Sequence, residues 1–182
     1  MPELKSFLVD VHEELYSNEN AVILMEGAQG YWLDIDWGDY PYVTSSHTGA
    51  AAALLNGINP RSLRDVWGVA KVYETYVGKK IFQPDSPVFD KIQLAGQEFG
   101  ATTGRVRQCN WLNCGELRRA IQANGVNKLV INKMDVLKDV GAWGIVNPHA
   151  RLESEGEMKI VLENICPDVV EEIFYSESPK FI

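Results

Sequence analysis

The run Leu129-Val-Ile-Asn-Lys-Met-Asp-Val-Leu137 constrains the fold more than any other stretch of the chain. An apolar, β-branched run reads as a strand, and here it feeds directly into the polar quartet Asn132-Lys133-Met134-Asp135. In open α/β sheets, ligands collect beyond the carboxyl ends of the strands. A carboxylate placed there accepts both the ring N–H and the exocyclic amine of guanine, whereas adenine presents an acceptor where guanine has its N–H. Guanine nucleotides need a second device for their phosphates, usually a Gly-rich turn with Lys at a helix start. Gly-x-x-x-x-Gly-Lys does not occur in the 182 residues, and Gly78-Lys79 lacks the upstream Gly. The quartet therefore reads as half of a nucleotide site.

The length of 182 residues predicts a single domain, 1–182, large enough for a real core. A net charge of −8 excludes a general nucleic-acid binder, which needs a basic face, but leaves room for local arginines to hold phosphates. Cys109, Cys114 and Cys166 are odd in number and lack CxxC spacing, so they read as reduced thiols of a cytoplasmic protein, with no metal site predicted. No stretch approaches the roughly 20 apolar residues of a membrane span, and the first residues lack the apolar block of a signal peptide.

Leu4, Phe7, Leu8, Val11 and Leu15 recur at helical spacing and predict one opening amphipathic helix. Ala21-Val-Ile-Leu-Met25 reads as a short buried strand, and residues 34–46 as loop. Residues 48–55 read as helix, 66–77 as a strand, 83–87 as a turn, 88–99 and 112–123 as helices, and 126–131 as a strand. Asn113 is placed to cap the second of those helices. The last forty or so residues read as short strands and turns, with Glu153 to Glu157 at a hairpin tip. This alternation gives an α/β fold with a mostly parallel central sheet and flanking helices.

Three loops carry chemistry. Glu26-Gly27-Ala28-Gln29-Gly30 follows the first predicted strand, either exposing backbone to a ligand or simply turning the chain. Val43-Thr44-Ser45-Ser46 sets three hydroxyls before a helix start, which suits an anion site or plain capping, and His47 beside it reads as a solvated side chain. Gly100-Ala-Thr-Thr-Gly-Arg-Val-Arg107 is the most loaded of the three. Guanidinium groups meet carboxylates in a bidentate fork, and residues two apart in an extended loop point the same way. Arg105 and Arg107 could thus converge on one acidic ligand, the bland alternative being a solvated basic loop. Arg118-Arg119 read as a surface or sheet-covering pair, and the five tryptophans as core and interface.

Taken in order, Glu26-Gly-Ala-Gln-Gly30, Leu33-Asp-Ile-Asp36, Tyr40-Pro-Tyr-Val-Thr-Ser-Ser46, Tyr73-x-Thr-x-Val-Gly78, Glu98-Phe-Gly-Ala-Thr-Thr-Gly-Arg105, Trp111-Leu112 and Asn132-Lys-Met-Asp-Val-Leu137 resemble the adenylosuccinate synthetase family. The compact loops Gly57-Ile-Asn-Pro60 and Val77-Gly-Lys-Lys-Ile-Phe-Gln-Pro84 resemble its short archaeal and phage-type members, some of which act on deoxyguanylate in diaminopurine synthesis. The resemblance implies a P-loop-NTPase-like synthetase fold. It also implies a GTP-dependent ligase that joins L-aspartate to the 6-position of a purine nucleotide monophosphate in purine biosynthesis. Phosphorylation of the purine 6-oxygen by GTP, with Mg2+, makes it a good leaving group for the aspartate amine. ATP or dATP serves as donor in phage-type members.

Carried over by motif, Gln29, Thr44 and Arg105 resemble purine monophosphate contacts. Val77, Thr102, Thr103 and Arg107 resemble the aspartate-binding positions. Lys133, Asp135 and Ser176 resemble the GTP-binding set, although Ser178 stands where a Gly is usual in the C-terminal turn. The family's phosphate loop, its catalytic Asp and His and its interface arginine have no counterpart in these 182 residues, so no catalytic residue is assigned. The expectation is the C-terminal half of a synthetase, its metal site supplied mainly by an N-terminal-half partner, with a homodimer as a further expected assembly. The alternative is a nucleotide-binding or regulatory homologue without catalysis.

Overall fold

A computed structural model describes residues 2–100 and 104–178, and its contacts divide the chain into two compact units, Met1–Arg64 and Asp65–Ile182.

The first unit is built from short elements joined by long loops: α1 (Pro2–Lys5), α2 (Val11–Tyr16), α3 (Ala51–Leu55) and 3-10 turns at Tyr31–Leu33 and Pro60–Ser62. The predicted single opening helix is two helices. Asp10 ends the pattern because its carboxylate accepts from the His12 and Glu13 amides at 2.9 and 3.3 Å, the geometry of an N-cap. The predicted strand over Ala21–Met25 does not form, and Val22 is 97% exposed. Its sequence is that of a buried strand, but a strand exists only through a ladder to a neighbour, and the described residues offer it none.

The second unit holds both sheets. A parallel sheet runs β1 (Trp67–Lys71), β4 (Lys128–Asn132), β7 (Glu172–Tyr175), with Val69 opposite Val130 and Val130 opposite Phe174. A second, mixed sheet runs β2 (Tyr73–Tyr76), β3 (Gln108–Asn113), β5 (Trp143–Val146), β6 (Ala150–Leu152), in which only the β3–β5 pair is parallel. The α/β class with a parallel sheet flanked by helices stands, but the predicted single strand over 66–77 is two strands in different sheets. Val72 is the pivot: its N–H extends the β4 ladder to the Asn132 carbonyl at 3.0 Å, and Tyr73 after it pairs with Trp111.

Four helices flank these sheets: α4 (Pro87–Ala95), α5 (Cys114–Asn124), α6 (Met134–Val140) and α7 (Glu155–Ile165). The Asn113 side chain does cap α5, accepting from the Glu116 amide at 3.2 Å. The predicted hairpin tip at Glu153–Glu157 is instead the start of α7. There Ser154 Oγ accepts from the Glu157 amide while the Glu157 carboxylate reaches back to the Glu153 amide at 2.8 Å, a variant of the capping box. Ile92, Ile121, Leu129, Ile131, Met134, Leu137, Met158 and Leu162 form the core between sheets and helices. Trp111 and Trp143 join them, whereas Trp37 is exposed and Trp67 stacks on Phe174. Gly144 makes room for the Trp111 ring, which a Cβ there would approach to 2.8 Å. Among the described residues no helix is long and apolar enough to cross a membrane.

Candidate functional site

In the first unit, one buried carboxylate organises both predicted ligand loops. Asp34, 2% exposed, accepts from the amides of Asp36 (2.9 Å), Trp37 (3.2 Å) and Thr48 (2.6 Å). Burial alone would raise this carboxyl, but those amides and that of Gly49 outweigh it and hold its pKa at about 2. The two loops are zipped further by the Thr44 amide on the Leu33 carbonyl (2.7 Å) and Thr48 Oγ1 on the Gly30 carbonyl (2.9 Å). Gln29, exposed and in the left-handed region at φ 62°, and half-buried Thr44 thus sit on one braced loop cluster. His47, read as solvated, lies 3.7 Å from Asp34 and 3.6 Å from Asp36. These three could be taken for metal ligands. The Asp34 oxygens, however, are already engaged by backbone N–H groups, which explains the cluster as a loop brace.

In the second unit, β4 delivers Asn132–Asp135 to the start of α6. Lys133 takes φ 64° at the N-cap, a left-handed conformation that costs a non-glycine residue on the order of 1 kcal/mol and is more often found at functional sites. Its Nζ donates to the Gly96 carbonyl at 3.0 Å, at the C-terminal end of α4. Asn132 Oδ1 is buried and has no hydrogen-bond partner among the described residues. Ser176 closes over the motif from β7. Its amide donates to the Ile131 carbonyl at 2.9 Å, its carbonyl accepts from the Met134 amide at 3.3 Å, and its hydroxyl donates to the Ser178 carbonyl at 2.8 Å. Lys133, Asp135 and Ser176 are thereby brought together.

The arginine loop leaves from the other side of Gly96. Phe99 and Val106 bridge in antiparallel fashion, Arg107 N–H donates to the Glu98 carbonyl (2.9 Å), and Gly100 N–H to that of Arg105 (2.8 Å). Glu98 itself is 1% exposed. Its carboxylate accepts from Lys71 Nζ at 2.8 and 2.7 Å, from the Tyr73 hydroxyl at 2.7 Å and from Arg107 Nη1 at 3.0 Å. Burial alone would raise the Glu98 carboxyl, yet these donors hold it below the usual carboxylate range. Burial also lowers Lys71 and raises Tyr73. Sequence reasoning missed both Lys71 and Glu98. A signal was present, because a lysine within the apolar run 66–77 requires a buried anion.

In that loop Arg107 is half-buried against Glu98, and Arg105 is exposed. Val77 is exposed just beyond β2, where the register pairs Tyr76 with Gln108 and so sets Val77 across from Arg107. Gln108 braces that segment, accepting from the amides of Phe82 (2.8 Å) and Gln83 (3.1 Å) and donating to the Lys80 carbonyl (2.7 Å). Thr102 and Thr103 lie outside the described residues. Arg118, read as a surface or sheet-covering side chain, reaches the Ile165 carbonyl at the end of α7 (2.9 Å).

Comparison with known proteins agrees with the motifs. The family profile described as adenylosuccinate synthetase matches residues 1–157. An adenylosuccinate synthetase of Desulfosudis oleivorans is 48% identical over 139 residues, which is 74% of this chain and 32% of that protein. One from Helicobacter pylori is 41% identical over 146 residues, 78% of this chain and 36% of that protein. The solved, fully ligated adenylosuccinate synthetase of Plasmodium falciparum superposes with a TM-score of 0.73 at 32% identity, covering 93% of this chain and 40% of that one. The chain spans about a third of the length of the curated relatives it matches.

Proposed function

The chain belongs to the adenylosuccinate synthetase family, and on that footing we propose that it is the base-reading and aspartate-reading component of a GTP-dependent ligase acting in purine biosynthesis. The observation that carries this is the junction at Gly96. The guanine-reading Lys133 is hydrogen-bonded to the Gly96 carbonyl, two residues before the Glu98–Arg107 loop, so the two recognition elements are joined there. Asp135 accepts the ring N–H and exocyclic amine of guanine, Lys133 covers the base, and Ser176 closes over it. Val77, Thr102, Thr103 and Arg107 take L-aspartate, with the guanidinium meeting a carboxylate as a fork. Gln29 and Thr44 in the first unit, and Arg105 in the second, are each assigned to the purine monophosphate by their motifs. GTP supplies the phosphoryl group that activates the purine 6-oxygen. The phosphate loop and the principal Mg2+ ligands come from the family's phosphate-loop portion, for which these 182 residues have no motif. Three unpaired cysteines accord with a cytoplasmic setting.

Mixing this chain with a separately produced phosphate-loop portion of the Desulfosudis oleivorans relative, GTP, Mg2+, inosinate and L-aspartate should yield adenylosuccinate, followed by its absorbance. Deoxyguanylate in place of inosinate decides between the ordinary acceptor and that of the phage-type members. If the chain took up guanine nucleotide and mononucleotide but formed no product with any such portion, the pure binding-protein reading would replace this one. Asp135→Asn should lower the preference for guanine over adenine nucleotides by about tenfold or more, since one of two paired acceptors becomes a donor. Unchanged selectivity in equilibrium binding would remove Asp135 from the base-reading role.

A further inference from the structure

Glu98 is the most deeply buried charged side chain among the described residues, and the chain is shaped to put it there. After α4 ends, Gln97 takes φ 50° and the Glu98 amide folds back onto the Gln93 carbonyl at 2.9 Å. Gly96 lies against the Tyr73 hydroxyl so closely that a Cβ would collide with it, and that hydroxyl donates to Glu98. Burying a carboxylate costs several kcal/mol unless its lone pairs are answered. Lys71 reaches both Glu98 oxygens and Tyr73 one of them, both from the β1–β2 segment.

Arg107 is a second cation on the same carboxylate, it comes from the loop, and its side chain remains 33% exposed. Lys71 and Arg107 both face the one Glu98 carboxylate, and Arg107 is the more exposed of the two. Held at one Nη by a fixed oxygen, a planar guanidinium has little freedom left in how it presents its other N–H groups. We infer that Glu98 is a positioning residue whose carboxylate fixes the Arg107 guanidinium in the orientation from which it meets a carboxylate of the amino-acid substrate. This rests on the assignment of Arg107 to L-aspartate. Lys71 and Tyr73 act one step further back by fixing Glu98.

The test uses the full 182-residue chain with 15N-labelled arginine. In the wild type the Arg107 Nη signals should be separately resolved, and L-aspartate should perturb them. In Glu98→Gln they should merge as the guanidinium rotates freely, and aspartate affinity should fall about tenfold, the loss expected when a preorganised contact becomes a mobile one. Tyr73→Phe, which removes one donor without changing shape, should weaken aspartate about threefold by the same logic. Hydrogen-exchange protection in the β1–β4–β7 sheet should persist in both folded variants, which a general loosening of the unit would not allow. Resolved Nη signals in folded Glu98→Gln, or wild-type aspartate affinity in both variants, would overturn the inference. If Glu98→Gln does not fold by circular dichroism, Tyr73→Phe decides alone. Resolved wild-type signals with no response to aspartate would overturn the aspartate assignment of Arg107, while leaving Glu98's hold on it intact.

Discussion

Replacing Asp34 by Ala is expected to speed hydrogen exchange at the Asp36, Trp37 and Thr48 amides by about 100-fold or more. Each of these amides donates to the buried Asp34 carboxylate. Hydrogen bonds to a charged acceptor contribute about 1.5–3 kcal/mol each, and stranding several donors together is worth about 3–5 kcal/mol, or about two to four powers of ten in a local opening equilibrium. This side chain braces the loops that carry Gln29 and Thr44, so under the proposed assignment of those residues the same variant should also weaken purine monophosphate binding. Acid should mimic the substitution. The folded carboxyl titrates at about 2 against 3.8 when unperturbed. The stability it confers is therefore complete above about pH 4 and lost as the pH falls from there toward 2. Protection that is unchanged in Asp34→Ala, or that persists at pH 2, would show that the loops are held by something else.

The sequence made some of this legible and hid the rest for physical reasons. Signals confined to a few neighbouring residues survived. Asn113 caps α5, and the apolar run into Asn132-Lys-Met-Asp135 is a strand passing directly into the start of a helix. The start of α7 was also local, a Ser154-x-x-Glu157 box, but Gly156 inside it disguised a helix as a turn. The division of 66–77 could not be read locally. It depends on which strands lie alongside, Asn132 holding Val72 in one sheet and Trp111 holding Tyr73 in the other. The same holds for Ala21–Met25, whose composition says strand although its pairing is absent among the described residues. Asp34 and Glu98 stood in the sequence as ordinary acidic residues. Asp34 has near partners at Asp36 and Trp37, but what joins each acid to a second segment lies 14 residues away at Thr48 and 27 away at Lys71, separations over which no pattern rule operates.

Glu74 should make folding stability fall as the pH rises from about 4.5 to 7, the opposite of what an acid paired with a cation does. This side chain stands on β2 with Oε1 accepting from the Asn113 amide at 3.2 Å. Burial first, and then the charge of Glu116, push its pKa up to about 7, against the smaller pull of that amide and of Lys80. Between 4.5 and 7 the folded chain therefore holds a proton that the unfolded chain has released. The stabilising neutral form is fully present below 4.5 and lost as the pH climbs through 7, by up to about 3 kcal/mol, after which the curve is flat. Asp34 and Glu98, both depressed, act on the acid side of this window and leave it alone. Glu74→Gln keeps the shape and the acceptor but not the charge. Urea unfolding across pH 4.5 to 8 should show the wild type losing stability and the variant holding level, with the variant the more stable by about 2–3 kcal/mol at pH 8. Parallel curves for the two proteins would mean that Glu74 is ionised in the folded state, with water reaching it beside Asn113.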